Sequence, residues 1–504
     1  SGASLNLGPN KLTLKGGGTL NNTNAFVLNN ADSLLSLAGI GGLKDVKANV
    51  STNNGKGIEV ITTAIMENYD LSAVNYLNIS AGQTLAGQLN LQSGGELFTS
   101  GEGQFNADIA LAGGNFKATD DQVLGGTLTI TEDSGITVSE GKTLQLSQVG
   151  GLPLGANTLT LSGGGSFTSG GIALNNADSK LLLNSIILDS ASTTAESLGI
   201  DVDANSSVTA FEVGHTTPVS IAQGVTLSGG VEVTAGSIKL NEAGTLSSTV
   251  AMSGGTLDAD ETATVSGTLT HSADITIDVA AGNNLTYSGT GISVGEHTIT
   301  LTGGGTFTSG GMTLDNADSK LLLNSITLDS ASTSLGNSGI DVDANSTIAA
   351  LTVGHITPLS IAAGTSLDGA ITLSAGSIKL NETGTLASAL TMTGGTLDVD
   401  ETSTLSGALT QSGSITIDVL TDKTLTYSGA GVNLGANTLT LSGGGTFNNT
   451  NAFVLNNDNS KLLLNDITLN KASTSLDNLG LDVDANSTVN VLSIGHITPL
   501  SIAG

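Results

Sequence analysis

The chain has 504 residues and a formal net charge of −30, from 44 acidic residues against 14 basic ones, all of them lysine. Nucleic-acid binding needs a basic surface and leans on the arginine fork, and an anionic membrane repels such a chain, so neither is expected as a partner. The absence of cysteine removes thiolate catalysis, cysteine-type zinc sites and iron–sulfur clusters together.

Only 3% of the residues are aromatic, none is Trp, and 38% are apolar. The core must therefore be built from Leu, Ile, Val and Ala in thin layers. The 69 glycines, with abundant Ser, Thr and Asn, would suit a disordered linker. A mean hydropathy of +0.20 and alternation of apolar residues in short strands argue for a folded chain instead. No run approaches the roughly 18 apolar residues of a spanning helix, so no membrane insertion is expected in this segment. The chain opens on Ser-Gly-Ala-Ser and stops mid-pattern at Ser-Ile-Ala-Gly, as expected of an internal segment or a processed product.

In chain order, a diverged first repeat occupies 1–154 and starts its pattern at Gly8 with GPNKLTLKGGG. A second repeat, 155–294, opens on GANTLTLSGGG; a third, 295–434, opens on GEHTITLTGGG; a partial fourth, 435–504, opens on GANTLTLSGGG again. The last three openings, at Gly155, Gly295 and Gly435, are evenly spaced, and the segment ADSKLLLNSI is identical at 177–186 and 317–326. Self-similarity of this kind marks a repeat architecture read as one continuous array. Within each unit, stretches such as 126–131 (GTLTIT) and 369–374 (GAITLS) alternate at period two and are bounded by Gly, Asn, Asp or Ser. This reads as strand, turn, strand, which fits a parallel β-solenoid or a string of β-sandwich domains. Very short strands, glycine corners and the lack of a buried Trp favour the solenoid. At roughly 20–25 residues per coil, a unit of this length makes about six or seven coils, and the whole chain a rod on the order of 100 Å. An uncapped edge at Gly504 would invite continuation or end-to-end association.

The stretches 125–130 (GGTLTI), 139–144 (SEGKTL) and 155–160 (GANTLT) resemble the repeats of bacterial autotransporter passengers and filamentous-haemagglutinin-type adhesins. The resemblance implies a right-handed parallel β-helix displayed outside the cell. It covers essentially the whole chain, but it is compositional, and the membrane barrel that ends an autotransporter is not seen in this sequence.

Three motifs recur once per unit. The triad Asp201, Asp203 and Asn205 returns as Asp341, Asp343, Asn345 and as Asp482, Asp484, Asn486. Spaced oxygens of this kind suit calcium, but the glycine of a calcium loop is missing, and a solvated face or an Asx-turn is the preferred reading. The sequence Gly214-His215-Thr216-Thr217-Pro218 returns at 354–358 and 495–499 and reads as a corner, since nothing fixes an acid and a nucleophile beside the histidine. In KLLLN the middle leucine, Leu182, Leu322 or Leu463, must point away from its two neighbours. It forms either a lateral assembly seam or a spot covered by a loop. His271 and His297 carry no signal. Parallel β-helices also host polysaccharide lyases and hydrolases, but this chain lacks the arginine base of the lyases and the aromatic lining of a sugar groove. No enzyme activity is expected.

The sequence thus leads to a secreted or cell-surface structural or adhesive protein, self-associating end to end or laterally, with a host-cell or surface glycan receptor. No cofactor is required beyond optional calcium. A calcium-dependent surface layer or matrix protein and a phage tail-fibre β-helix remain the alternatives.

Overall fold

The computed structural model describes residues 3–53 and 55–503. The expectation placed on Gly504 therefore lies outside the described residues. Among them there is no helix; the chain is all-β, with parallel sheets wound as a β-solenoid of roughly 20-residue turns. A string of sandwiches would have paired its strands antiparallel, whereas the ladders here are parallel. The chain forms two compact units, Ser1–Ala251 and Met252–Gly504.

In the first unit one ladder runs through Lys11–Leu14, Leu34–Leu37 and Gly57–Val60. Near its far end it carries Thr158–Ser162, Lys180–Asn184, Gly199–Ala204 and Thr217–Ile221. A second ladder, including Ile187–Thr193, Ser206–Val213 and Thr226–Val233, closes each coil. Leu159 pairs with Leu181, Leu181 with Ile200 and Ile200 with Val219, so each rung is one coil further along the chain, the first step slightly longer than the next two. These four side chains are at most 1% exposed, and each contributes about 1.5–3 kcal/mol by burial. The alternate residues Thr160, Leu182, Asp201 and Ser220 form the outward row of the same strands.

The second unit repeats the pattern. Seven steps along its first ladder carry the chain from Thr298–Thr302 to Thr438–Ser442, at the upper end of the expected six or seven coils. The few aromatics are more central than composition suggests. Phe167, Phe307 and Phe447 are fully buried, one per repeat, each stacked between leucines of the coils before and after it.

The recurrent polar residues stitch coil to coil. Ser179 is fully buried; its hydroxyl accepts from the Asn176 amide and donates to the Gly155 carbonyl of the previous coil. Ser319 repeats both bonds with Asn316 and Gly295. The Asn176 side chain closes an Asx-turn on the Asp178 amide. At the triple-glycine corner, Gly303 and Gly304 have φ of +104° and +86°, and a Cβ on Gly305 would lie 2.5 Å from the Ala280 carbonyl oxygen. The corner lies on the coil beneath with no room for a side chain, which is why it is built of glycine.

Candidate functional surfaces

Asp201 sits on Gly199–Ala204 between Ile200 and Val202, both buried, so alternation turns it outward. There Lys180 of the preceding coil meets its carboxylate at 2.6 Å. The same pair forms between Lys320 and Asp341 at 2.5 Å and between Lys461 and Asp482 at 2.7 Å. A register shift follows Leu183, and Asp203 beyond it is exposed, while its counterparts Asp343 and Asp484 also lie past the paired lysine. The Asn205 amide oxygen accepts from the Thr226 backbone N–H at 2.9 Å, and Asn345 does the same for Ser366. The first two triads are thus distributed among a lysine, solvent and a turn, and in the third Asp482 is likewise held by its lysine. Among the described residues no group of three or more His, Cys, Asp or Glu side chains is placed to hold a metal ion.

A second acidic run, Asp398-Val399-Asp400-Glu401, is treated the same way. Lys379 bridges Asp398 at 3.2 Å and Asp400 at 3.3 Å, and Lys423 meets Glu401 at 2.6 Å. Asp398 also stacks in register on Asp418 of the next coil. Partial burial raises its carboxyl above the ordinary value despite the lysine, with the Asp400 charge adding to the rise.

Leu182, Leu322 and Leu463 point outward, as alternation requires, but are half-buried. Each lies in a polar row, Leu182 between Thr160 and Asp201, Leu322 between Thr300 and Asp341, and Leu463 between Thr440 and Asp482. They share their strands with the ion-paired lysines.

In the histidine corner the working residues are its neighbours. The buried Thr217 hydroxyl donates to the His215 carbonyl at 2.8 Å, and Thr357 does the same to His355 at 3.2 Å. Pro218 and Pro358 pack against Gly199 and Gly339 so closely that a Cβ there would lie 1.9 and 2.3 Å from the proline carbonyl oxygen. His215 and His355 are exposed.

The structure does join two residues that carried no sequence signal. His271 and His297 lie about one coil apart along the chain, and their rings meet edge to face at 5.4 Å. Both ring nitrogens of His271 face backbone carbonyls, Ala273 at 3.3 Å and Ser293 at 2.9 Å. Carbonyls only accept, so the ring nitrogen that carries the hydrogen is the one that donates. Gln411 and Asn437 occupy the corresponding places one repeat later, and a spacing close to the coil length was the only available cue. In the first unit an open groove of about 500 Å³ runs over Ser192, Ala210, Phe211, Glu212 and Glu232. Its two carboxylates are in register on adjacent coils, but Thr352 and Thr372 replace them in the next repeat. Its described lining residues include no basic side chain.

Compared with protein-family models, with curated proteins and with solved structures, the chain matches none.

Proposed function

We propose that this chain is a structural and adhesive repeat segment of a secreted or cell-surface protein, built to form a rod or filament rather than to catalyse. The observation that supports this reading most is what its recurrent motifs do. From one repeat to the next, the same serine, proline and lysine–aspartate contacts tie each coil to its neighbour. A catalytic or cofactor site would need one convergent set of groups, whereas here the distinctive groups recur along the array as fasteners. The fold is compatible with fibre proteins, and the repeats' resemblance to bacterial surface adhesins supplies the location and the class of receptor, a host-cell or surface glycan.

The test is direct. Antibody raised against the purified chain should label intact source cells, and negative-stain microscopy should show elongated particles. Labelling only after lysis, together with compact globular particles, would overturn the proposal.

A further inference from the structure

We infer that one edge of the solenoid in the unit Met252–Gly504 is a lateral contact between copies of this chain. This rests on the fibre reading above. The edge is formed by the turns that lead from the second ladder into the first. Over six consecutive coils these are 334–338, 354–356, 374–376, 393–395, 412–414 and 434–437, and none contains Asp, Glu or Lys. Apart from Leu335, Ile356 and the buried Leu434, they consist of Ser, Thr, Gly, Ala and Asn, with His355 the single ionisable side chain. The turns on the opposite side of the same coils carry Glu382, Asp400, Glu401, Asp422 and Lys423. In a chain with a net charge of −30, a charge-free strip of this length is a marked local departure.

Two large apolar side chains stand exposed on this strip, Leu335 at 51% and Ile356 at 56%. They lie on successive coils whose turns are tied by the Asn337 amide, which donates to the Thr357 hydroxyl at 3.2 Å. One repeat later the equivalent positions, Leu476 and Ile497, are exposed again at 48% and 74%. Beside this second pair Asp477 accepts from the Ile497 N–H and faces His496 at 3.9 Å. Seven coils separate the two pairs, on the order of 34 Å at about 4.8 Å per coil, and the one turn between them that lies beyond the charge-free strip, 456–460, carries the exposed Asp458.

Charge decides the occupant. A basic partner would be drawn to the carboxylate-bearing turns on the other side, while an acidic partner can approach with least like-charge repulsion along this strip. A second copy of this chain is such a partner, and it carries the same strip and the same seven-coil spacing, so both apolar pairs can engage together. The strip is narrow against the roughly 800 Å² per partner of a stable interface, so association is weak for one pair of chains and grows with concentration. Because the repelling carboxylates lie largely off the contact line, salt screens them and strengthens association, the reverse of a contact held by ion pairs.

Sedimentation velocity on the full chain over a range of concentrations, at low and at high NaCl, tests this. The weight-average mass should rise with concentration and rise further at high salt. The double substitution Leu335→Asp with Ile356→Asp should weaken association about tenfold or more. Leu420→Asp, on the opposite turn and 46% exposed, should leave it unchanged, with far-UV circular dichroism confirming that both variants fold. A wild-type chain that stays monomeric at both salts, association that falls with salt, or equal loss in the Leu420 variant would each overturn the inference. Failure of surface labelling alone would remove the proposed location and leave this contact standing.

Discussion

Gly339 is held in place by two independent constraints, and a pair of substitutions separates them. Its φ is +106°, and a Cβ there would lie 2.3 Å from the Pro358 carbonyl oxygen of the next coil. Gly364 has φ +79° with open space around it. Gly364→Ala should therefore cost only the left-handed backbone term, about 1–2 kcal/mol. Gly339→Ala adds the collision and should cost about 3 kcal/mol or more, read from the urea midpoint at unchanged slope. Equal midpoints for the two variants would show that the coils relax around the corner. Two carboxylates give opposite pH responses. Asp108 accepts from the Thr127 backbone N–H at 2.7 Å and its hydroxyl at 2.8 Å, and these bonds hold its carboxyl below the ordinary 3.8. Its stabilisation is present above 3.8 and is lost as pH falls through the lowered folded value. Asp398 is raised by burial, so its ionisation opposes folding above its raised value, and the penalty disappears below 3.8. At pH 7 Asp108→Asn should lower the melting temperature and Asp398→Asn should raise it. The Asp398 difference should close below 3.8, and the Asp108 difference only at still lower pH. The same sign for both variants at pH 7 would contradict this assignment.

At the scale of one coil, Tyr427 shows how a sparse aromatic fixes a turn. It is 1% exposed, its hydroxyl donates to the Ala430 carbonyl at 2.7 Å and accepts from the Leu409 N–H of the preceding coil at 3.1 Å. Gly429 lies against its ring, where a Cβ would come within 2.6 Å. Tyr427→Phe keeps the packing but leaves the Leu409 N–H without its acceptor, so it should cost about 1–3 kcal/mol in chemical denaturation. A loss under about 0.5 kcal/mol would mean that the strand re-pairs around the missing hydroxyl. The coil itself was legible in the sequence, because period-two alternation and glycine corners follow from backbone geometry alone. So was the outward turn of Leu182, which needs only the pleat. What a given polar residue touches was not legible. Lys180 reaches Asp201 on the following coil and Ser179 reaches back to Gly155 on the preceding one, so each contact depends on how much chain the intervening corner absorbs. His271 and His297 meet for the same reason, and no local pattern announces that their step is longer than the steps from Leu159 to Leu181 and from Leu181 to Ile200.

Across the repeats, stability is a sum of coil-on-coil interfaces, and the even spacing of the openings at Gly155, Gly295 and Gly435 makes the interfaces there interchangeable. Ile275, Thr276 and Ile277 pair with Ile299, Thr300 and Leu301, while Ile415, Thr416 and Ile417 pair with Leu439, Thr440 and Leu441. The two junctions have the same register, differing only in Ile299 against Leu439 and Thr302 against Ser442. Deleting 295–434 joins Val294 to Gly435 and seats the strand Thr438–Ser442 on Ile275–Val279, where Thr298–Thr302 now lies. Every inward position stays inward and the Ser460 hydroxyl still reaches the Gly435 carbonyl. The shortened chain should fold with unchanged ellipticity per residue, and its urea slope should fall by about a quarter, in proportion to the surface removed. Deleting 295–424 instead brings Leu425, from a second-ladder strand, to follow Val294. That strand then arrives where a first-ladder strand is needed, with the wrong corner before it, and the coils beyond it lose their support. This variant should lose resistance to limited proteolysis from the junction onward while residues before it stay protected. Equal protease resistance of the two deletions would show that coils can slip past one another, and that the repeat length is not what holds the ladder in register.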